Sequence, residues 1–282
     1  MTMITRIITT IKKLKRFTTL VFVFAILISV FYAIPMIEPF QKEITNNEEV
    51  YLGVIGPGQT ISISVDGRPR TGGIWGKGGA YENAVVSGLP LGWSKQDSDW
   101  SGVPLQVKIT ADKFAREGEY KAEIKVLDEG DKERLGNITF FVKINITHNV
   151  LDVLLDGANK EVHSGQPAKF YITVMNNANT SDTFSISSSN VQNWTFKKWL
   201  YIPARSSRII PYEIASTEER YYYPLIYVAS ESSPLINKTL NATVKINPTP
   251  STDFKATNNG MLFFPIISGI IYALAGFFSN FF

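Results

Sequence analysis

The sequence predicts an all-β region of two tandem β-sandwiches held between an N-terminal and a C-terminal transmembrane helix. Three observations predict it. Residues 17–37 and 256–282 contain no Asp, Glu, Lys or Arg, whereas charge is spread through everything between them. That middle reads as short apolar alternations, such as Ile61, Ile63, Val65 and Phe170, Ile172, Val174, broken by Gly, Asn, Asp and Pro. Period two is the strand signature, and no amphipathic helical stretch of about a dozen residues interrupts it. Finally, one series of motifs occurs twice, about 100 residues apart, the size of a seven-stranded sandwich.

In chain order, residues 1–16 form a basic tail: Arg6, Lys12, Lys13, Lys15 and Arg16 precede the first acidic residue, Glu38. By the positive-inside rule the tail stays in the cytoplasm and the following segment is delivered outside. Residues 17–37 are long enough for a signal-anchor helix, since about 20 apolar helical residues span a hydrocarbon core. A cleaved signal peptide fits less well. Its apolar region is shorter, and a cut after Ala33 would put bulky Phe31 where a small residue is wanted. A mitochondrial presequence needs no such uncharged run. Residues 38–148 and 149–248 are assigned as sandwiches 1 and 2, 249–260 as a linker, and 261–280 as the C-terminal transmembrane helix. Gly269, Ala273 and Gly276 give that helix a small-residue stripe for packing against another helix. A removable GPI-type tail is the competing reading, with small residues at Ser251 and Thr252 and a short spacer.

Of the 28 basic residues, five lie in the tail, which leaves the remainder slightly acidic. The pI therefore gives no reason to expect nucleic-acid binding. Cysteine is absent, so each domain is expected to be stabilised by burial alone.

The repeat is specific enough to align. GPGQTISISV at 56–65 corresponds to HSGQPAKFYITV at 163–174, and GLPLGWS, holding Trp93, to VQNWTF, holding Trp194. REGEYKAEIKVLD at 116–128 corresponds to EERYYYPLIYVAS from Glu218, and FFVKINI at 140–146 to NATVKINP at 241–248. Trp93 and Trp194 are expected to fill the two cores. Tyr120 and Tyr222 open late strands, as a tyrosine corner would. NNANTSDTF is expected to make a hairpin turn, because Asn and Asp bond their own backbone.

The second copy resembles the NEW3-type immunoglobulin-like domains of archaeal and bacterial membrane-anchored surface proteins. Gly165, Phe170, Val174, Asn176, Asn179, Asp182, Thr183 and Phe184 match that pattern, as do Ile202, Pro203, Ala204 and Ser207. Ala178 and Arg205 depart from it, each where Gly is usual. The first copy matches more loosely, through PGQ, GLPLGW and the Tyr120 strand. The resemblance implies two immunoglobulin-like sandwiches serving as an adhesive, stalk or accessory module, and it implies no chemistry.

A search for chemistry agrees. His148 and His163 are the only histidines and lie too far apart for a zinc site. No nucleophile-and-base arrangement is visible. Asp128, Glu129 and Asp131 lack calcium-loop spacing and read as a hairpin turn. No cofactor or metal is expected, and the protein reads as non-enzymatic. The most distinctive segment is DGRPRTGGIWGKGG, which fails the P-loop pattern. It is a candidate recognition loop, with Arg68, Arg70 and Lys77 for an anionic or polar partner such as surface glycan and Trp75 as a stacking face. Six sequons, at Asn137, Asn145, Asn179, Asn193, Asn237 and Asn241, are candidate glycosylation sites. The function expected is a membrane-anchored extracytoplasmic binding or scaffold protein of the cell surface, its partners the lipid bilayer and a protein or surface glycan. The alternative is an accessory subunit of a membrane transport or secretion complex.

Overall fold

The computed structural model describes residues 33–73, 76–130, 134–191, 196–216 and 218–248. Residues 17–32, the 249–260 linker and the 261–280 helix with Gly269, Ala273 and Gly276 lie outside the described residues, as do Trp75, Asn193 and Trp194. Every regular element among the described residues is a strand, and none is a helix long and apolar enough to cross a membrane. The chain divides into two compact units. One comprises Met1–Leu52, Ile61–Ile109 and Tyr120–Lys143; the other comprises Gly53–Thr60, Thr110–Glu119 and Ile144–Phe282.

The first sandwich uses β1 (Ala33–Glu38), β2 (Lys42–Thr45), β3 (Glu49–Ile55), β4 (Thr60–Val65), β5 (Asn83–Ser87), β6 (Ser94–Gln96), β7 (Leu105–Thr110), β8 (Gly118–Leu127) and β9 (Ile138–Ile146). They form two sheets, ordered β2-β1-β4-β7-β6 and β3-β9-β8-β5. Alternate residues point inward, as the period-two pattern requires. Ile61, Ile63 and Val65 of β4 and Ile138, Phe140, Val142, Ile144 and Ile146 of β9 are buried. Residues 33–37, counted above in the signal-anchor segment, belong instead to β1. Ile34 and Met36 are buried, and Ala33–Met36 pair with Thr45–Lys42 of β2. An uncharged run and a buried strand look alike when the strand's outward residues are also apolar, here Ala33, Pro35 and Ile37.

The second sandwich uses β10 (Leu151–Asp156), β11 (Asn159–His163), β12 (Ala168–Asn176), β13 (Asp182–Ser189), β14 (Lys198–Ile202), β15 (Ser206–Ile214), β16 (Tyr221–Tyr222), β17 (Leu225–Ser230), β18 (Asn237–Asn241) and β19 (Thr243–Asn247). Sheets run β10-β12-β15, β11-β19-β16 and β14-β13-β17-β18. Phe170, Ile172, Val174 and Tyr212 from the first of these share one core with Phe184, Ile186, Val228 and Val244 from the others. Burying a ring such as Phe170 contributes about 1.5–3 kcal/mol.

Both sandwiches share the connectivity of their central strands. A first strand lies beside the B-type strand and that beside the E-type strand (β1-β4-β7; β10-β12-β15), while the strand just before the B-type strand (β3; β11) pairs with β9 or β19 in parallel. The parallel pairing is direct for β11 and β19. For β3 and β9 it follows from Asn47, Glu48 and Ile55 bonding Thr139, Phe141 and Thr147 in the same ascending order. This is the immunoglobulin-like arrangement. The repeated segments fall on equivalent strands: 56–65 and 163–174 lead into β4 and β12, and 140–146 and 241–248 hold β9 and β19.

Three expectations are corrected. NNANTSDTF is no hairpin, because β12 and β13 lie in different sheets and the segment crosses between them. Asn176 ties the crossing: its Nδ2 donates to the carbonyls of Thr180, Ile202 and Pro203, and its Oδ1 accepts from Ala178 N. Trp93 does not fill a core. It sits half-buried between β5 and β6, where its backbone N–H donates to Pro90 O and its ring packs against Tyr120, tilted by 46° with centroids 5.1 Å apart. A residue in a turn has no inward-facing register to occupy. Tyr222 is buried, but its hydroxyl meets Ser216 Oγ at 2.7 Å and Glu218 Oε2 at 3.2 Å, side chains rather than the backbone of a tyrosine corner.

Candidate recognition site

The Gly-rich segment connects β4 to β5 and closes on itself. Tyr81 N donates to Gly67 O at 2.7 Å, Gly79 N to Pro69 O at 3.2 Å and Gly78 N to Gly72 O at 2.9 Å. These bonds zip the arms of an irregular hairpin whose tip is closed by Gly76 N on Gly73 O. Glycine is required at Gly78: φ is 79°, and a Cβ there would lie 1.8 Å from Pro69 O. Arg68, Arg70 and Lys77 are all exposed on this scaffold. Among the described residues, none of their side chains is held in an ion pair or hydrogen bond. The three cations are therefore presented by a backbone that has already lost much of its freedom, which lowers the ordering cost of binding.

Glu82 joins this loop to two others. Its N–H donates to Leu127 O at 3.1 Å, its carbonyl accepts from Ser101 N at 2.7 Å, and its Oε2 accepts from Glu129 N at 3.0 Å. The β4–β5, β6–β7 and β8–β9 connections thus meet at one end of the first sandwich, the kind of loop cluster that immunoglobulin-like domains use for recognition. The β8–β9 loop is clipped by Asp128, whose Oδ2 accepts from Leu135 N at 2.7 Å and Gly136 N at 3.1 Å. Trp100 in the β6–β7 loop is 62% exposed and Val103 is 58% exposed. Neither was singled out from the sequence. The available signal was a Trp inside DSDWSGVP, since a large ring in a run of turn formers has no strand face to hide on.

The sequons separate by environment. Asn179, inside the second unit, accepts at Oδ1 from Val54 N at 2.8 Å and from Arg205 at 2.6 Å, and its side chain fills the space a Cβ on Gly53 would need. Arg205, which departs from the family pattern, sits at φ 51° and provides this clamp. Asn137 accepts from Asp128 N at 2.9 Å on an exposed loop, and Asn145 is half-buried within β9. Asn237 and Asn241 are exposed on β18, which forms one edge of its sheet.

Several other polar and charged groups are held by local structure. Asp182 is buried and accepts from Gln59 Nε2 at 2.7 Å, Ser230 Oγ at 2.6 Å and Ser232 Oγ at 2.8 Å, a satisfied anchor inside the second unit. His148 N donates to Glu117 Oε1, and His163 Nδ1 lies 3.3 Å from Pro248 O. Hydrogen bonds from Lys121 and Lys143 hold the Glu49 carboxyl at about 2. Among the described residues, no group of three His, Cys, Asp or Glu is placed to hold a metal ion.

No family model matches the chain, and no curated protein does. Among solved structures it is similar to a chimeric titin Z1Z2 functionalized with an exogenous decorin peptide, at 11% identity and TM-score 0.36, covering 77% of this chain and 98% of that one. It is also similar to titin Z1Z2 in complex with telethonin (10% identity, TM-score 0.25, 78% and 99% covered). A third is PapD-like domain 7 of human CEP192 (9% identity, TM-score 0.25, 34% and 84% covered). At these scores the assignment of the fold rests on the strand connectivity described above.

Proposed function

We propose that this chain is a membrane-anchored, extracytoplasmic binding or scaffold protein of the cell surface, related to the NEW3-type modules and non-enzymatic. The observation that carries the proposal is the exposed cationic hairpin at the loop end of the first sandwich, whose cations have no side-chain partner among the described residues. Arg68, Arg70 and Lys77 favour a partner bearing negative charge, and the neighbouring exposed Trp100 offers a ring for stacking on a sugar or apolar face. The basic tail and the uncharged run behind it support the placement. Tags at each terminus, with protease added to intact cells, test it. The reading expects a protected N-terminal tag and cleavage within 38–248, and complete protection of 38–248 overturns it.

The stripe of Gly269, Ala273 and Gly276 favours a second reading, an accessory subunit of a membrane transport or secretion complex. Pull-down in mild detergent discriminates: a stoichiometric integral-membrane partner lost in the G269L/G276L variant supports the subunit reading.

A further inference from the structure

The outward face of the β14-β13-β17-β18 sheet combines large exposed rings with small polar groups. Register places Trp199 opposite Ser185 and Tyr201 opposite Thr183, then Ser185 opposite Ala229 and Ser187 opposite Tyr227. On the far side Tyr227 faces Thr239, with Asn237 and Asn241 as its diagonal neighbours. Trp199 is 60% exposed, Tyr201 54% and Tyr227 41%. Lys197 and Glu231 bring charge to the face and neutralise each other: Nζ lies 3.3 Å from Glu231 Oε1 and 5.2 Å from the Trp199 ring centroid. Around them the outward polar groups that are not buried include the hydroxyls of Thr183, Ser187, Ser189 and Thr239, while the buried Ser185 bonds Glu231. Such a face suits a neutral polyhydroxyl ligand whose C–H surfaces stack on rings and whose hydroxyls bond the floor.

The two attachment points name the occupant. Asn237-Lys238-Thr239 and Asn241-Ala242-Thr243 are sequons whose asparagines project from an edge strand on this same face. No side-chain bond holds the Asn241 amide among the described residues. Asn237 Nδ2 donates one N–H to Pro234 O at 2.7 Å, a bond that a substituted amide retains. Diagonal cross-strand neighbours lie about 7–8 Å apart, within reach of an aromatic side chain, so the first sugar on either asparagine meets Tyr227. Trp199 and Tyr201 lie three strand spacings from β18, about 14 Å, a span for the next few sugars.

We propose that Asn241 and Asn237 carry N-linked glycans and that this sheet face is their bed. The inference rests on the extracytoplasmic placement proposed above. In the transfer, Nδ2 attacks the anomeric carbon of a lipid-phosphate-linked oligosaccharide. The N–C bond forms, the C–O bond to phosphate breaks, the amide proton leaves to base, and the lipid phosphate departs with the bonding pair.

The full chain, produced in a host with N-glycosylation, is compared with its N237Q/N241Q variant by glycopeptide mapping and hydroxyl-radical footprinting. The expected result is occupancy at Asn237 and Asn241, with labelling of Tyr227 and Trp199 several-fold lower than in the variant. Occupancy at Asn137 with Asn237 and Asn241 bare overturns the site while leaving the placement standing. Absence of glycan from every sequon overturns both. Occupied asparagines with unchanged labelling overturn the bed.

Discussion

The two sandwiches share the connectivity of their central strands and differ in how they use equivalent connections. Between β4 and β5 the first inserts residues 66–82, a zipped hairpin presenting three cations. Between β12 and β13 the second has only residues 177–181, pulled tight by Asn176 and Asn179. The short edge strand differs as well: β6 bonds β7 in the first sandwich, whereas β14 joins β13 in the other sheet of the second. That switch widens the second sandwich's four-stranded sheet and gives Trp199 and Tyr201 a face to stand on. The difference teaches that the common core constrains only the inward residues. Loops and outward faces are free to diverge, and in these two copies they diverge toward different surfaces.

The largest effects test whether the cores are equivalent. Phe140→Ala in the first sandwich and Phe170→Ala in the second each empty a fully buried ring site, and each is expected to cost about 3–5 kcal/mol by denaturant unfolding. A cost below about 1 kcal/mol in either would break the equivalence. Next comes the head of the B–C crossing. Asp182→Ala strands three side-chain donors and the Thr183 N–H and is expected to cost about 3 kcal/mol. Asn83→Ala, at the corresponding start of β5, loses one 3.0 Å acceptor for Ser98 Oγ at a half-buried site and is expected to cost about 1 kcal/mol. Equal costs would remove the contrast between a tight and an inserted connection.

Within the inserted hairpin, Gly78→Ala meets Pro69 O and is expected to rearrange the loop at a cost of about 2 kcal/mol or more. Gly76→Ala, at φ 65° with nothing within 4 Å, is expected to cost about 1 kcal/mol. Proton-exchange protection at Gly78 and Gly79 reads the difference, and unchanged protection in Gly78→Ala would contradict the zipped geometry.

The smallest effect is electrostatic. The Glu49 carboxyl sits at about 2 against an ordinary 4.5, first because Lys121 donates to it and then because Lys143 does. Its folded value is depressed, so its stabilisation is present above pH 4.5 and is lost as pH falls from 4.5 toward 2. In the second sandwich Asn247 and then Lys245 lower Glu161 in the same sense. Both carboxylates are exposed, so Glu49→Gln and Glu161→Gln are each expected to flatten this acid limb only slightly in pH-dependent thermal melts. A steeper limb in either variant would reverse the sign.

Much of the fold was legible because two periods coincide, alternation within strands and the repeat between copies. Ile61, Ile63 and Val65 and their partners in β12 identified both the strands and their faces. The failures share one cause: local chemistry does not say which sheet a strand will join. NNANTSDTF has every residue of a turn, yet Asn176 uses its amide to bridge sheets. Ala33–Ile37 is apolar enough to read as membrane, yet it belongs to a strand that pairs with β2 and β4. Of the candidate site, Arg68, Arg70 and Lys77 were visible as an unusual composition. Trp100 and Glu82 were not, because their role depends on loops that are distant in sequence meeting at one end. The aromatic face was hidden for a similar reason, since Trp199, Ser185, Tyr227 and Asn241 come together only through register.

The central claim is that recognition resides in the inserted hairpin of the first sandwich. Retention of the full detergent-solubilised chain on immobilised dextran sulfate, compared with its R68A/R70A/K77A variant across a salt series, tests it most directly. The account predicts an affinity at least about tenfold lower at low salt for the variant, a shallower salt dependence and an unchanged unfolding midpoint. Equal retention of the two proteins at every salt concentration would contradict it.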